Sequence, residues 1–283
     1  KLNPDFARGY YYLSHLEYTD EKKVWQDYLF SEKILNNKSR TDQVDILFAR
    51  ANVLHKRKNY NESAKFLKLA NDLKLVLKPS KSDLLIAKTK FLQSKSFKTN
   101  NYFKEQTKYS QSIFIVGMPR SGSTLIESIL SLNRNVTDLG EINILEESFM
   151  EWDKGNQKKS LADLYWDKIK NKTKLSITTN KWLFNYQYVG IISSQMPNIK
   201  IIHCYRNPLD NILSIYRAHF ARGNEYSSSL VDSTKVFLSQ EEIMEEYKDR
   251  FRSKIYDMNY DLLVSNPNKQ IRSLINWLGW KWE

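Results

Sequence analysis

The chain is short of several things, and each shortage excludes something. It has one cysteine, Cys204, in 283 residues. No internal disulfide is possible, which fits a reducing compartment and predicts a cytoplasmic location. No apolar run approaches the length of a membrane-spanning helix, so no membrane span is predicted. The chain opens at Lys1 with neither Met nor a signal-like apolar stretch, which reads as a fragment. Only four histidines are present, so few are available for acid–base chemistry. Acidic residues are outnumbered: 44 Lys and Arg stand against 32 Asp and Glu, a net charge of +12. Such an excess serves solubility or draws an anionic ligand: a nucleotide, a nucleic acid or an acidic protein segment. The basic residues are spread along the chain, which argues against nucleic acid. What is present is globular in composition, 41% hydrophobic and 27% charged.

Two regions differ in pattern. Residues 1–98 read as helical. "ILFARANVLHKRKNYNESAKFLKLANDL" carries small residues at Ala51, Ser63 and Ala70 with Tyr60 and Leu67 between them, the spacing of one tetratricopeptide-type hairpin that turns at Lys58-Asn59. No second copy lies 34 residues away in either direction. A lone repeat cannot bury its own face, so it is expected to dock on neighbouring helices and the rest of the chain. A further helix is capped by Ser82 or Asp83. Residues 99–112 are polar and read as a linker. From residue 113 onward, strands alternate with helices. "SIFIVG", "KLSITTN", "IKIIHCYR" and "KIYDMNYDLL" carry the strands; "GSTLIESILSL", "YQYVGIISSQM", "PLDNILSIYRAHF" and "NPNKQIRSLINWLGW" carry helices. That alternation predicts a parallel α/β sheet covered on both faces.

One more absence sits in the loop "VGMPRSGSTL". Gly117, Gly122 and Thr124 fall where a nucleoside-triphosphate loop, G-x-x-x-x-G-K-[ST], has its two glycines and its hydroxyl, but Ser123 replaces the lysine. A strand that runs through such a loop into a helix aims backbone N–H groups and the positive end of a helix dipole at one point. Arg120, Ser121, Ser123 and Thr124 add donors. A tight strand–helix turn alone would also leave this pattern. Further on, "CYRNPLDNILS" sets Arg206 at a strand end and Ser214 eight residues later on a helix, where both can meet a second phosphate.

These two segments resemble the sulfotransferases that use 3′-phosphoadenosine 5′-phosphosulfate (PAPS). Pro119-Arg120-Ser121-Gly122-Ser123-Thr124-Leu125 is similar to their 5′-phosphosulfate loop, and Arg206 with Ser214 is similar to their 3′-phosphate motif. The resemblance implies a P-loop-like sulfotransferase fold over residues 113–283, preceded by a tetratricopeptide-like helical region open to protein contacts. It implies PAPS as co-substrate, adenosine 3′,5′-bisphosphate as product, and no metal. A loop lysine is then dispensable, because PAPS has no β/γ-phosphate pair.

Gly140-Glu141 in "DLGEINILEE" looks like the Gly-Glu of tyrosylprotein sulfotransferases, which implies Glu141 as general base; a solvated acid at a helix start is the alternative. Asn180-Lys181 in "TTNKWLFN" resembles the pair whose lysine reaches the sulfuryl group, or is a polar strand boundary. Glu146 and Glu147 read as a solvated face. Tyr260 in "NYDLLVSNP" matches a family segment and packs either near the nucleotide or in the core. His203 reads as a packed core residue and His219 as structural. The implied acceptor is a hydroxyl on a peptidyl tyrosine, a glycan or a small alcohol, an acidic peptide being favoured by the basic excess. In that family the chain continues past the position of Trp282-Glu283 into a segment that closes over the nucleotide, so a truncated C-terminal part is expected. Two other readings stay open: a P-loop kinase or NTPase, and a tetratricopeptide-type interaction protein with an inactive nucleotide-binding domain.

Overall fold

A computed structural model of the protein describes residues 6–16, 24–98, 111–155, 159–173, 175–221 and 223–282. They form two compact units, Lys1–Ser82 with Ile212–Lys235, and Asp83–Asn211 with Val236–Glu283. The expected linker, residues 99–112, lies outside the described residues except for Gln111 and Ser112, which open a strand.

The first unit is helical. Its sequence-ordered elements are α1 (Ala7–Leu13), α2 (Val24–Phe30), α3 (Arg40–Lys56) and α4 (Tyr60–Leu77). Ser39 caps α3, its hydroxyl accepting from the Asp42 N–H at 3.1 Å, and Asn59 caps α4 through the Glu62 N–H at 3.4 Å. Lys58 takes a left-handed φ of 59° between the two helices, so the hairpin turns at Lys58-Asn59. Ala51, Ser63, Leu67 and Ala70 are buried, and the Ser63 hydroxyl donates to the Ala51 carbonyl at 2.8 Å. Small side chains thus let α3 and α4 approach closely. Tyr60 does not join them: it is 57% exposed, with its ring edge-on to His55. The opposite face of α3 is covered by α1 and α2, through Tyr10, Leu29, Ile46, Ala49 and Val53. The described helices form a single hairpin with its neighbours and no repeat array.

The second unit holds a sheet of five parallel strands: β1 (Gln111–Gly117), β2 (Val136–Asp138), β3 (Ile177–Asn180), β4 (Ile199–Tyr205) and β5 (Ile255–Asn259), in the spatial order β2-β3-β1-β4-β5. Alternate residues of β1 enter two cores, as a strand period of two requires. Phe114 and Val116 pack with Leu92 of α5 (Ser82–Lys98), Phe149 of α7 (Ile144–Asp153), Tyr165 of α8 (Leu161–Ile169), Ile192 of α9 (Val189–Gln195) and Met244 and Tyr247 of α11 (Leu230–Phe251). Ile113 and Ile115 pack with Ile126 and Leu130 of α6 (Ser123–Leu130), Leu263 of α12 (Tyr260–Ser265) and Leu274 and Leu278 of α13 (Pro267–Leu278). Both faces are therefore buried, as the apolar "SIFIVG" predicts. The remaining helix, α10 (Pro208–Arg217), starts after β4 and runs across the boundary between the units. Among the described residues, no helix is long and apolar enough to cross a membrane.

Candidate active site

Because all five strands are parallel, Gly117, Asp138, Asn180, Tyr205 and Asn259 end on one edge of the sheet. Open parallel sheets bind ligands outside this carboxyl edge. The loop after β1 is bounded by two glycines that nothing larger can replace without movement. A Cβ on Gly117 (φ 143°) would lie 2.2 Å from the Cys204 carbonyl oxygen, and one on Gly122 (φ 93°) 2.3 Å from Tyr260 Cδ2. Arg120 is held at φ 68°, a conformation that disfavours a side chain by about 1–2 kcal/mol. The buried Asn211 amide donates to the Pro119 carbonyl at 3.0 Å and fixes the loop. Ser121 and Ser123 are buried, while Arg120 and Thr124 are exposed. α6 begins at Ser123, so its first N–H groups, which have no partner within the helix, open onto the loop.

Beside the loop lies a charged trio. The backbone continues the β2–β3 pairing past the strands: the Leu139 N–H donates to the Thr179 carbonyl at 3.0 Å, and the Lys181 N–H to the Gly140 carbonyl at 2.9 Å. Gly140 turns with φ 65°, its N–H donating to Asp138 Oδ1 at 2.6 Å. This sets Glu141 against Lys181, and Lys181 Nζ donates to Glu141 Oε1 at 2.5 Å. The Lys181 side chain is 6% exposed and Glu141 59%. Asn180 holds the turn, its Oδ1 accepting from the Trp182 N–H and the Asn185 amide, each at 3.0 Å.

The third member, Glu127 of α6, was not singled out from the sequence. Its Oε2 lies 3.8 Å from Lys181 Nζ, with the side chain 7% exposed. Burial, and then the facing Asp138 carboxyl, push its pKa up to about 7, while Lys181 pulls the other way. A signal existed: Glu127 shares the buried face of α6 with the apolar Ile126 and Leu130.

Across the loop, Arg206 follows β4. Its guanidinium lies 4.9 Å over the Tyr260 ring, with Nε 3.7 Å from Asp261 Oδ1 and Nη2 4.0 Å from Asp210 Oδ2. Arg206 Nε is buried and makes no hydrogen bond. Tyr260 is half-buried against Gly122. The edge thus brings together Arg120, Ser121, Gly122, Ser123, Thr124, Glu141, Lys181, Arg206 and Tyr260. Ser214 lies on α10, in the stretch grouped with the first unit. His203 is fully buried in β4, 3.2 Å from the Gln240 amide and 3.5 Å from both Glu241 and Asp257. His219 belongs to the first unit, 2.7 Å from Asp45 and stacked on Phe48.

Residues 112–161 and 143–283 match the model of the sulfotransferase family. The chain belongs to the sulfotransferase family. An uncharacterized protein of Aquifex aeolicus (strain VF5) is 31% identical over 196 residues, which is 60% of this chain and 26% of that protein. The chain thus spans about a quarter of that relative's length. Among solved structures, the sulfotransferase domain of the Synechococcus PCC 7002 olefin synthase is 15% identical, with a TM-score of 0.48 over 64% of this chain and 78% of that one. The sulfotransferase domain from the curacin biosynthetic pathway is 18% identical, with a TM-score of 0.46 over 62% and 76%.

Sulfotransferases take sulfate from a nucleotide donor, and the carboxyl edge fits such a group. Ser121 Oγ, within the glycine loop, and Arg206 Nε, after β4, are buried polar atoms with no hydrogen-bond partner among the described residues. Buried donors left unpaired cost stability, so a ligand oxygen at either one is favoured. The glycines keep the backbone bare where a phosphate would approach.

Proposed function

We propose that the protein transfers a sulfuryl group from PAPS to a hydroxyl of its acceptor, with peptidyl tyrosine as the preferred class. The observation that carries this reading is the Lys181–Glu141 pair at 2.5 Å beside a glycine-bounded anion loop. PAPS supplies an activated sulfate whose S–O bond to the 5′-phosphate breaks as the acceptor oxygen bonds to sulfur. Arg120, Ser121, Ser123, Thr124 and the N–H groups that open α6 hold the 5′ end. Arg206 holds the 3′-phosphate, and the Tyr260 ring fixes the guanidinium from below. The sequence resemblance adds Ser214 to that contact. Glu141 takes the acceptor proton, and its exposure leaves it open to a hydroxyl that arrives from solvent. Lys181, held out of water, places its ammonium against the negative charge that grows on the bridging oxygen. The free product is adenosine 3′,5′-bisphosphate.

Two measurements test this. By calorimetry, without added metal, the bisphosphate should bind more tightly than AMP, and Arg206→Ala should remove most of the preference. A charge-assisted contact to phosphate is worth about 1.5–3 kcal/mol, which is about ten- to a hundred-fold in affinity. Equal affinity for the two nucleotides overturns the 3′-phosphate assignment. With radiolabelled PAPS and a tyrosine peptide, Glu141→Gln should slow transfer by about 10²–10⁴ while its bisphosphate affinity stays within a few-fold of the parent. Near-parental turnover would remove Glu141 as the base.

A further inference from the structure

Lys181 has two carboxyl neighbours, and only one of them is accounted for. When Glu141 takes the acceptor proton, its negative charge is gone. Lys181 then loses the partner it holds at 2.5 Å at the very step that needs its ammonium. The Lys181 side chain is 6% exposed, which leaves little room for water to take that partner's place. The donor's bridging oxygen faces the ammonium only while the donor is bound, and a buried ammonium without a fixed counter-ion in the protein tends to shed its proton. Glu127 is the group in reach. Its Oε2 lies 3.8 Å from Nζ, and its Oε1 is buried and meets no donor. The side chain rises from the first turns of α6, between the core residues Ile126 and Leu130, and is itself buried.

We propose that Glu127 is a positioning residue, the second counter-ion of Lys181, which keeps the ammonium charged and in place while Glu141 serves the acceptor. This rests on the reading of Glu141 as the base. Glu127 touches neither the acceptor nor the sulfuryl group in this arrangement and takes no proton from the acceptor. The titratable groups that face it are Asp138 at the end of β2, Glu141 after it, and Lys181 after β3. Asp138 and Glu127 can share a hydrogen bond only while one of them holds a proton, so burial and Asp138 favour the neutral form of Glu127 and Lys181 favours the ionised form. Loss of the Glu141 charge removes a repulsion on Glu127, so the proton shared in the Glu127–Asp138 hydrogen bond shifts to Asp138 and the charge of the pair comes to lie on Glu127, opposite Lys181.

The test reads Lys181 directly. The full chain, labelled with ¹³C at the lysine ε carbons, is titrated by NMR as the parent, as Glu141→Gln and as Glu127→Gln with Glu141→Gln. Glu141→Gln should leave Lys181 charged through the neutral range, because Glu127 takes over. The double variant should lower its titration midpoint by about one unit or more. Equal midpoints in the single and double variants overturn the proposal. Should the double variant not fold, Glu127→Gln alone decides. It should lower kcat about tenfold or more with KM for PAPS and bisphosphate affinity within a few-fold, and Glu127→Asp should restore part of kcat. Parental kcat, or equal losses in kcat and in bisphosphate affinity, would leave Glu127 a structural residue. Failure of the base reading shows separately, as near-parental turnover of Glu141→Gln, whereas the Lys181 titration does not depend on turnover.

Discussion

A carboxyl group inside an apolar helix face is costly in its ionised form, and Glu127 shows the consequence in its pKa, raised from the ordinary 4.5 to about 7 by burial first and Asp138 second. A raised pKa in the folded state means that the folded protein binds more protons than the unfolded chain between those two values. Stability therefore falls as pH rises across that window. The contribution is fully present below about pH 4.5, declines up to about 7, and is level above. Asp257 behaves oppositely: burial would raise its pKa, but His203, Arg252 and Lys248 outweigh that and hold it well below the ordinary 3.8. Its contribution is lost only as pH falls below that value, outside the Glu127 window. Urea unfolding of the parent and Glu127→Gln across pH 4 to 8 isolates the effect. The parent's stability relative to the variant should decline from about pH 4.5 to about 7 and then stay constant. A difference that does not change with pH across this window would mean that Glu127 is not held protonated. At the residue scale Arg120, Glu141, Lys181 and Arg206 could be picked out because they sit in short motifs next to strand ends, and the fold brings them to one edge of the sheet. Glu127 escaped because its partners, Asp138 and Lys181, come from separate strands that only the fold brings to α6.

At the scale of elements, the sheet follows from local chemistry where strands are long and from packing where they are short. β1 and β4 are seven residues long, are built around Ile113, Ile115 and Val116 and around Ile199, Ile201 and Ile202, and were legible as buried strands. β2 has three residues, too few to show a period, and forms because Val136, Thr137 and Asp138 pair with Ile177, Thr178 and Thr179 of β3. That unread strand matters, since its continuation carries Gly140 and Glu141 to Lys181. The β1–α6 connection was legible through its glycines, and the strain each would impose can be ranked. An alanine at Gly117 would meet the Cys204 carbonyl oxygen, part of the β4 backbone and unable to yield without breaking the ladder. At Gly155, also at positive φ (73°), nothing lies within 4 Å. Gly155→Ala should cost only the left-handed penalty of about 1–2 kcal/mol. Gly117→Ala should cost more, with a lower melting temperature and weakened bisphosphate binding. Equal melting temperatures for the two variants would mean that the loop adapts and that the close approach of β1 to β4 is not needed.

At the scale of the whole molecule, the α/β character of the chain from residue 113 onward was readable because helix and strand periods differ. Its partition into units was not. Residues 212–235 join the helical unit through backbone acceptors: the Asn71 amide donates to the Tyr216 carbonyl at 3.1 Å and Lys74 Nζ to the Phe220 carbonyl at 3.0 Å. Carbonyl groups are the same at every position, so no side-chain pattern announces such bonds across 145 residues. Net charge, by contrast, is read directly, and +12 bears on the acceptor. A field of one sign raises the encounter rate of an oppositely charged partner and fades with salt, the screening length being about 10 Å at 0.1 M. A tyrosine peptide flanked by aspartates should therefore show a lower KM than its asparagine counterpart at low salt, and the gap should close as salt is added. The neutral peptide serves as the internal control, because PAPS is itself anionic and its own salt dependence affects both peptides alike. If the two peptides respond identically, the basic excess serves solubility and not acceptor recognition. If neither peptide is sulfated while sugars or simple alcohols are, the peptidyl acceptor is wrong, and the fold and family stand unchanged.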